Sequence, residues 1–304
     1  MALEKWLVTP GETKTIDIER VRKMKVGLIG GQIDIIGHDE PGARIEVHSV
    51  SGKELKVSID GDLLEIDHPQ LRWDNFLDVF RAWTDKARAD VSVLVPRDVA
   101  VKLGVVSADA LISGLTTDAK LSTVSGEITV DGLSGDLDLN AVGGELSVRD
   151  LVGAITAHTV SGDITASGTL RSFSADSVSA NIYLDVSGTP DRVSTNTVSG
   201  DVTIRLDDGV SARYRVNSVA GRLRVDDTVV RRAPDKSFTH QTGSLDGQWV
   251  DVSGNTVSGD ISIVRRPSTG SGTNASSKSD ASSKPDASAA TDTGAGSDEN
   301  GASA

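Results

Sequence analysis

The residues with the types to do chemistry recur together. Thr123-Val124-Ser125-Gly126-Glu127-Ile128 returns as Thr159-Val160-Ser161-Gly162-Asp163-Ile164, as Thr197-Val198-Ser199-Gly200-Asp201-Val202 and as Thr256-Val257-Ser258-Gly259-Asp260-Ile261. Each copy sets hydroxyls beside a glycine and an acid. A serine on a tight turn invites nucleophilic catalysis, and a run of acids invites a cation. The acid position reads Asp109, Glu127, Glu145, Asp163, Asn181, Asp201, Arg222, Asp260. Like charges at strand spacing repel, so they either face solvent at a turn or surround a cation. Calcium-binding rolls share a nine-residue period, but the extra glycines of their Gly-Gly-x-Gly-x-Asp repeat are missing here. Asn181 and Arg222 also interrupt the column. A solvated turn face is the reading these residues favour.

The other candidates are sparse. His38, His48, His68, His158 and His240 show neither metal-ligand spacing nor a nucleophile partner. No Gly-x-Ser-x-Gly elbow and no phosphate loop is present. Arg20, Arg22, Lys23 and Lys25 form one basic cluster and Arg231-Arg232 another, neither interleaved with aromatics. The sequence therefore assigns no catalytic, cofactor or metal residue. A carbohydrate-binding or carbohydrate-cleaving β-helix, with Tyr183, Tyr214 and Trp249 on one face, and a calcium-stabilised roll stand as alternatives.

The motif valine recurs at Val106, Val124, Val142, Val160 and Val178, always 18 residues apart, and continues at Val198, Val219 and Val257. The last spacing, 38 residues, is close to two units, so a degenerate coil with an insertion is expected between Val219 and Val257. A half-period copy, Leu133-Ser134-Gly135-Asp136-Leu137-Asp138-Leu139, lies nine residues out of phase. Each unit thus holds two similar strands and two similar turns. Apolar columns support this: Ala110, Ile128, Leu146, Ile164, Ile182, Val202, Leu223, Ile261 in one position, and Val130, Val148, Ala166, Leu184, Ile204, Val225, Ile263 in another. Polar residues alternate with them, as on strands with one inward face. A triangular hexapeptide helix would need an aliphatic residue at Asp136, so the nine-residue period prevails. The expected fold is all-β: a two-sheet β-solenoid, a β-helix or roll of about eight coils of 18–20 residues, stacked at about 4.8 Å. The small column Ala108, Gly126, Gly144, Gly162, Ala180, Gly200, Gly221, Gly259 suits positive φ or close packing, and its two alanines favour packing at least as much.

Three regions are expected: 1–103, an N-terminal β region; 104–266, the repeats; 267–304, a tail. In the first, Thr15–Glu19, Ile33–Ile35, Arg44–His48, Leu55–Ile59 and Leu63–Ile66 alternate like strands, with Gly30-Gly31 read as a turn. Residues 70–89 differ. Trp73, Phe76, Leu77, Phe80 and Trp83 recur at helical spacing and share one stripe, with Asp74, Asp78, Arg81 and Asp85 off it. The segment reads as a cap on the N-terminal end of the stack or as a partner-docking surface. Asp90–Pro96 is a strand ended by proline. From Pro267 the chain is Ser, Ala, Gly, Asp and Thr, expected to be disordered.

Composition narrows the classes. The 304 residues are 3% aromatic and contain no cysteine, which excludes disulfides and thiolate chemistry. Of the net charge of −13, the tail's two lysines and five acids contribute −3 and the body −10. Such a surface repels nucleic acid and anionic lipid. No run has the length of a signal peptide or of the roughly 18 apolar residues that span a bilayer. The expectation is a cytoplasmic protein without a membrane span, with peripheral contact at the envelope open to it.

The tandem Thr-Val-Ser-Gly-Asp-Ile motifs resemble the bacterial β-strand-repeat family called toastrack, a domain of unknown function whose members carry an adhesin label. Gly31–Ala43 and Val91–Pro96 are similar to actinobacterial members. The resemblance covers roughly residues 12 to 265. It implies a solenoid scaffold associated with cell-envelope sensing or stress, and it brings no catalytic residues. The reading is a non-enzymatic, protein-binding scaffold with an unidentified protein partner, and an adhesin is a further alternative that the resemblance implies. Unpaired edges at its two ends leave self-association open.

Overall fold

The computed structural model describes residues 3–69, 87–226, 228–230 and 237–266. Trp73, Phe76, Leu77, Phe80 and Trp83, and the tail from Pro267, lie outside the described residues. Arg88 and Ala89, the end of the aromatic stretch, belong to a strand. The described residues form strands and no helix, so among them no helix is long and apolar enough to cross a membrane.

The chain winds as a two-sheet solenoid. One face stacks β9 (Ala119–Thr123), β11 (Leu137–Ala141), the second halves of β12 (Leu146–Thr159) and β13 (Ile164–Ser179), and β15 (Arg192–Ser199). The other stacks β10 (Ile128–Asp131), the first halves of β12 and β13, β14 (Ile182–Val186) and β16 (Val202–Asp207). All these pairs are parallel and in register with the repeat: Ile128 meets Leu146, Leu146 meets Ile164, and Ile164 meets Ile182. Alternation sends Ile128, Leu146, Ile164, Ile182, Val202 and their partners inward, all buried. Each such Ile or Leu contributes roughly 2 kcal/mol on leaving water. Leu115, Leu133 and Leu151 fill the second turn from within. The long strands pass round the edge and serve both faces, so hydrogen bonding is continuous.

Parallel stacking extends N-terminal of residue 104. β3 (Lys23–His38) lies along β8 (Ala100–Ser113) from Lys23–Ala100 to Ile36–Ser113. Gly30-Gly31, read as a turn, lies inside β3, where the strand bends from one face to the other. Gly31 has φ +107°, and a Cβ there would lie 2.0 Å from the Ala89 carbonyl oxygen. Beyond β3 both faces continue to antiparallel edges. One adds β6 (Leu63–Asp67), β5 (Leu55–Asp60) and β1 (Glu4–Val8). The other adds β7 (Arg88–Pro96), β4 (Ala43–Ser51) and β2 (Lys14–Ile18).

The far end departs from expectation. Among the described residues no degenerate coil follows Val219 in the stack; β19 (Thr228–Val230) and β20 (Ser237–Thr242) run antiparallel to β18 (Leu223–Val225) and β17 (Ala212–Ser218). The last coil, β21 (Val250–Ser258) and β22 (Ile261–Arg266), then inserts between the two coils that precede it in sequence. β21 pairs with β15 on one side and β17 on the other, and β22 with β16 and β18. The long spacing marks a chain that overshoots and returns.

Glycine sets how closely the coils stack. A Cβ on Gly126 would sit 1.8 Å from the Ala108 carbonyl oxygen, on Gly144 2.0 Å from that of Gly126, and on Gly162 1.8 Å from that of Gly144. The column continues in spatial order: Gly200 against Ala180, Gly259 against Gly200, Gly221 against Gly259. Of these six only Gly200 has φ in the left-handed region, +143°. Close approach, rather than a special dihedral, selects glycine. Gly162→Val is expected to lower stability by about 3 kcal/mol or more, because backbone must move. Gly132→Ala, at φ +64° with nothing within 4 Å, should cost only about 1 kcal/mol. Urea midpoints of the two variants check the contrast.

Candidate functional site

The repeat motif spends its own polar groups. The buried Thr123 hydroxyl donates to the Gly126 carbonyl and accepts from the Gly126 N–H, both at 2.9 Å. Thr159 accepts from Gly162 N–H (3.1 Å) and Ser218 from Gly221 N–H (2.8 Å). The serine hydroxyl reaches back one coil: Ser125 Oγ donates to the Val106 carbonyl (3.1 Å) and Ser161 Oγ to that of Val142 (3.2 Å). These hydroxyls tie turns together and are not paired with a base.

The acid column has an equally local task. Glu127 N–H donates to Asp109 Oδ1 (3.0 Å) and Asn181 N–H to Asp163 Oδ1 (2.8 Å). Asp201 N–H donates to Asn181 Oδ1 (3.0 Å), Asp260 N–H to Asp201 Oδ1 (2.8 Å), and Arg222 N–H to Asp260 Oδ1 (2.8 Å). Each short side chain caps the amide of the next coil. Asn181 does this as well as aspartate, and Arg222 takes the outermost position of the column, where it only donates. Among the described residues no group of three or more His, Asp or Glu side chains is placed to hold a metal ion.

The motif valine, by contrast, faces water. Val142, Val160, Val178, Val198, Val257 and Val219 are 37–54% exposed, while Val124 is buried. They form one aliphatic column along an edge of the stack. Beside it runs a column of amides: Asn196 Nδ2 donates to Asp176 Oδ1 (2.8 Å), Asn255 Nδ2 to Asn196 Oδ1 (2.8 Å), Asn217 Nδ2 to Asn255 Oδ1 (2.7 Å). Between the two columns lies a shallow groove of about 370 Å³. The sequence shows the valine period but not its orientation, because alternation is broken at the turn.

The remaining candidates are dispersed. Tyr183 points outward, Tyr214 is buried with its hydroxyl accepting from Arg265 Nη2 (2.7 Å), and Trp249 lies under the Arg213 guanidinium at 4.6 Å. They build no shared platform for a sugar. His48 Nε2 lies 2.9 Å from Ser92 Oγ, a pair the sequence does not reveal because β4 and β7 are far apart in the chain. His48 is exposed and Ser92 half-buried on an open sheet, and no group holds the second ring nitrogen of His48 among the described residues, so the pair lacks the third member that catalysis needs. Lys25 of the first basic cluster pairs with Glu65 at 3.2 Å. Arg231-Arg232 lie outside the described residues.

His68 is the buried histidine among the described residues. It is enclosed, its Nδ1 accepts from Ile29 N–H (3.2 Å), and its Nε2 has no partner among the described residues. Burial pushes its pKa down to about 4.

The family model that matches the sequence is Toastrack DUF4097, over residues 21–264. No curated protein matches. Solved structures to which the chain is similar include the following three, each described as "putative". A lipid binding protein from Parabacteroides distasonis is 12% identical, with 85% of this chain and 98% of that one covered and a TM-score of 0.46. A cell adhesion protein from Clostridium sporogenes is 15% identical, with 87% and 99% covered and a TM-score of 0.26. An adhesin from Bacteroides fragilis is 12% identical, with 83% and 97% covered and a TM-score of 0.40.

Two outcomes test this geometry. If the acid column caps amides, Asp201→Asn should leave the melting temperature within a degree or two, whereas Asp201→Ala loses about 1 kcal/mol, and neither should respond to calcium or chelator. A calcium-dependent shift that Asp201→Asn abolishes would instead make the column an ion site. His68 yields a pH dependence. Its unfolded pKa near 6.5 exceeds its folded value, so the unfolded chain binds the extra proton. Its contribution is present above pH 6.5 and is lost as pH falls towards 4, by up to about 3 kcal/mol. In His68→Asn, whose side-chain oxygen can still accept from Ile29, urea titrations should show a flatter slope across that window.

Proposed function

Because this chain belongs to the Toastrack DUF4097 family, we propose that it is a non-enzymatic scaffold that binds another protein, working at the cell envelope. The observation that carries this is the exposed valine column. Six valines that would each favour burial are held outward in line, at coil spacing, and a column of amides runs beside Val198, Val257 and Val219. Apolar residues aligned on an otherwise charged surface mark contact with a partner. The Thr123, Ser125, Thr159 and Ser161 hydroxyls and the Asp163, Asp201 and Asp260 carboxylates of the motif are meanwhile engaged with backbone, which favours binding over catalysis. The stripe of Trp73, Phe76, Leu77, Phe80 and Trp83 supplies a second docking surface in this reading, since large aromatics carry much of the energy at interfaces. The envelope setting follows the family resemblance.

The test is affinity capture from envelope extracts with quantified recovery. Val160, Val178 and Val198 are changed together to serine in one variant, and Trp73, Phe76, Phe80 and Trp83 to alanine in another. At least one variant should lower recovery of a reproducible protein partner by roughly tenfold or more, about 1.4 kcal/mol. Melting temperature should move far less than a core substitution moves it. Unchanged recovery of every captured protein in both variants would remove the scaffold reading.

A further inference from the structure

The last coil occupies a slot that the rest of the chain builds around it. β17 and β18 pair, among the described residues, only with the antiparallel strands β20 and β19 and with β21 and β22. Residues 212–225 therefore join the stack through residues 250–266. Four side-chain columns cross this place in spatial rather than sequence order. Glycine passes from Gly200 through Gly259 to Gly221. The aspartate cap passes from Asp201 through Asp260 to Arg222. The amides pass from Asn196 through Asn255 to Asn217. The buried aliphatics pass from Ile204 through Ile263 to Val225. The slot thus has a recognition code: Asn255, Gly259, Asp260, Ile261 and Ile263 at fixed spacing on an extended strand-turn-strand segment.

In the connection that brings the coil back, β20 pairs, among the described residues, with β17 alone, and its Ser237, Thr239, His240 and Gln241 are exposed. It is followed by an exposed loop, 243–249, with Gly243 at φ +76° and Gly247 at φ +138°. A segment held by side-chain columns but tethered by a surface loop can be supplied by another molecule with the same contacts.

We propose that the gap between β15/β16 and β17/β18 is an acceptor site for an extended segment with this code, filled in cis by residues 250–266 and in trans by the same residues of a second copy of this chain. The partner is fixed by the columns, since no bulkier residue than glycine fits at position 259: its Cβ would stand 2.1 Å from the Gly200 carbonyl oxygen. In cis the tether gives a high effective concentration and the closed monomer prevails. When many chains fold close together, the exchanged dimer forms with an identical set of contacts.

The native chain has no cysteine, which makes a trapping experiment clean. Ser199 and Ser258 face each other across β15 and β21, so the double variant Ser199→Cys, Ser258→Cys reports which molecule fills the slot. The full chain is refolded from denaturant dilute and concentrated, then oxidised. Dilute refolding should give an intramolecular bridge. Concentrated refolding should give a species of twice the 31.7 kDa monomer mass, whose 199–258 bridge joins two chains on non-reducing electrophoresis. A chain that stays monomeric, or dimers whose bridges are all intramolecular, would overturn the proposal. A second arm uses full-length Gly259→Val, whose own coil no longer fits. A labelled peptide of residues 250–266 should bind this variant saturably and wild type at least tenfold more weakly, and the peptide carrying Gly259→Val should bind neither. A variant that keeps its strand signal but does not take up the peptide also counts against the site. If that variant does not fold, the cysteine trap decides alone.

Discussion

Backbone approaching backbone at the glycine column is the contact on which the rest depends. Wherever Gly126, Gly144, Gly162, Gly200, Gly259 and Gly221 pack, the carbonyl of the adjacent coil fills the place a side chain would take. That approach sets the coil spacing at one edge, and with it the register of both sheets. Once register is fixed, columns of like residues run from coil to coil. Isoleucine lies on leucine inside, amide on amide outside, and a short carboxylate over the next backbone amide. None of these contacts is strong alone, since an exposed hydrogen bond is worth about 1 kcal/mol or less. Their strength lies in repetition at a spacing that one small residue enforces.

The same repetition explains why the motif is a poor place to look for catalysis. A catalytic hydroxyl or carboxylate must keep a free lone pair or proton for its substrate. Here Thr123, Ser125 and Asp163 give theirs to neighbouring backbone, so the motif is chemically quiet. What it leaves outside is shape: flat faces of small polar residues and one line of valines. That surface suits a protein whose task is to be held against something.

Much of this architecture is legible in the chain. The 18-residue valine period, the half-period leucines and the two apolar columns give a two-sheet solenoid before any coordinate is known, because one residue per coil in each column leaves little freedom in packing. The alanines at 108 and 180 already hint that space rather than dihedral governs the glycine column. The failures have physical causes too. Gly30-Gly31 looks like a turn, but a glycine pair also lets a strand bend round an edge with its hydrogen bonds intact. Val219 and Val257 look like coils two apart, but period alone does not tell the order in space from the order in sequence. The pairing of Asn255 with Asn196 and Asn217 carries that information, and it is visible only across the coils. The outward turn of Val160 is hidden for a similar reason, since the turn interrupts the alternation that assigns faces.

The threaded last coil also matters during synthesis. β17 and β18 leave the ribosome before β21 and β22, the strands on which they must rest. At about 5–20 residues per second, the stretch from 226 to 266 takes a few seconds to make. For that time the nascent chain carries two open ladder edges, one on β15/β16 and one on β17/β18, each matched to a sequence not yet translated. On a crowded polysome a neighbouring chain ahead by a few codons already displays that sequence, so the order of translation, and not only the final energy, bears on which molecule closes the stack.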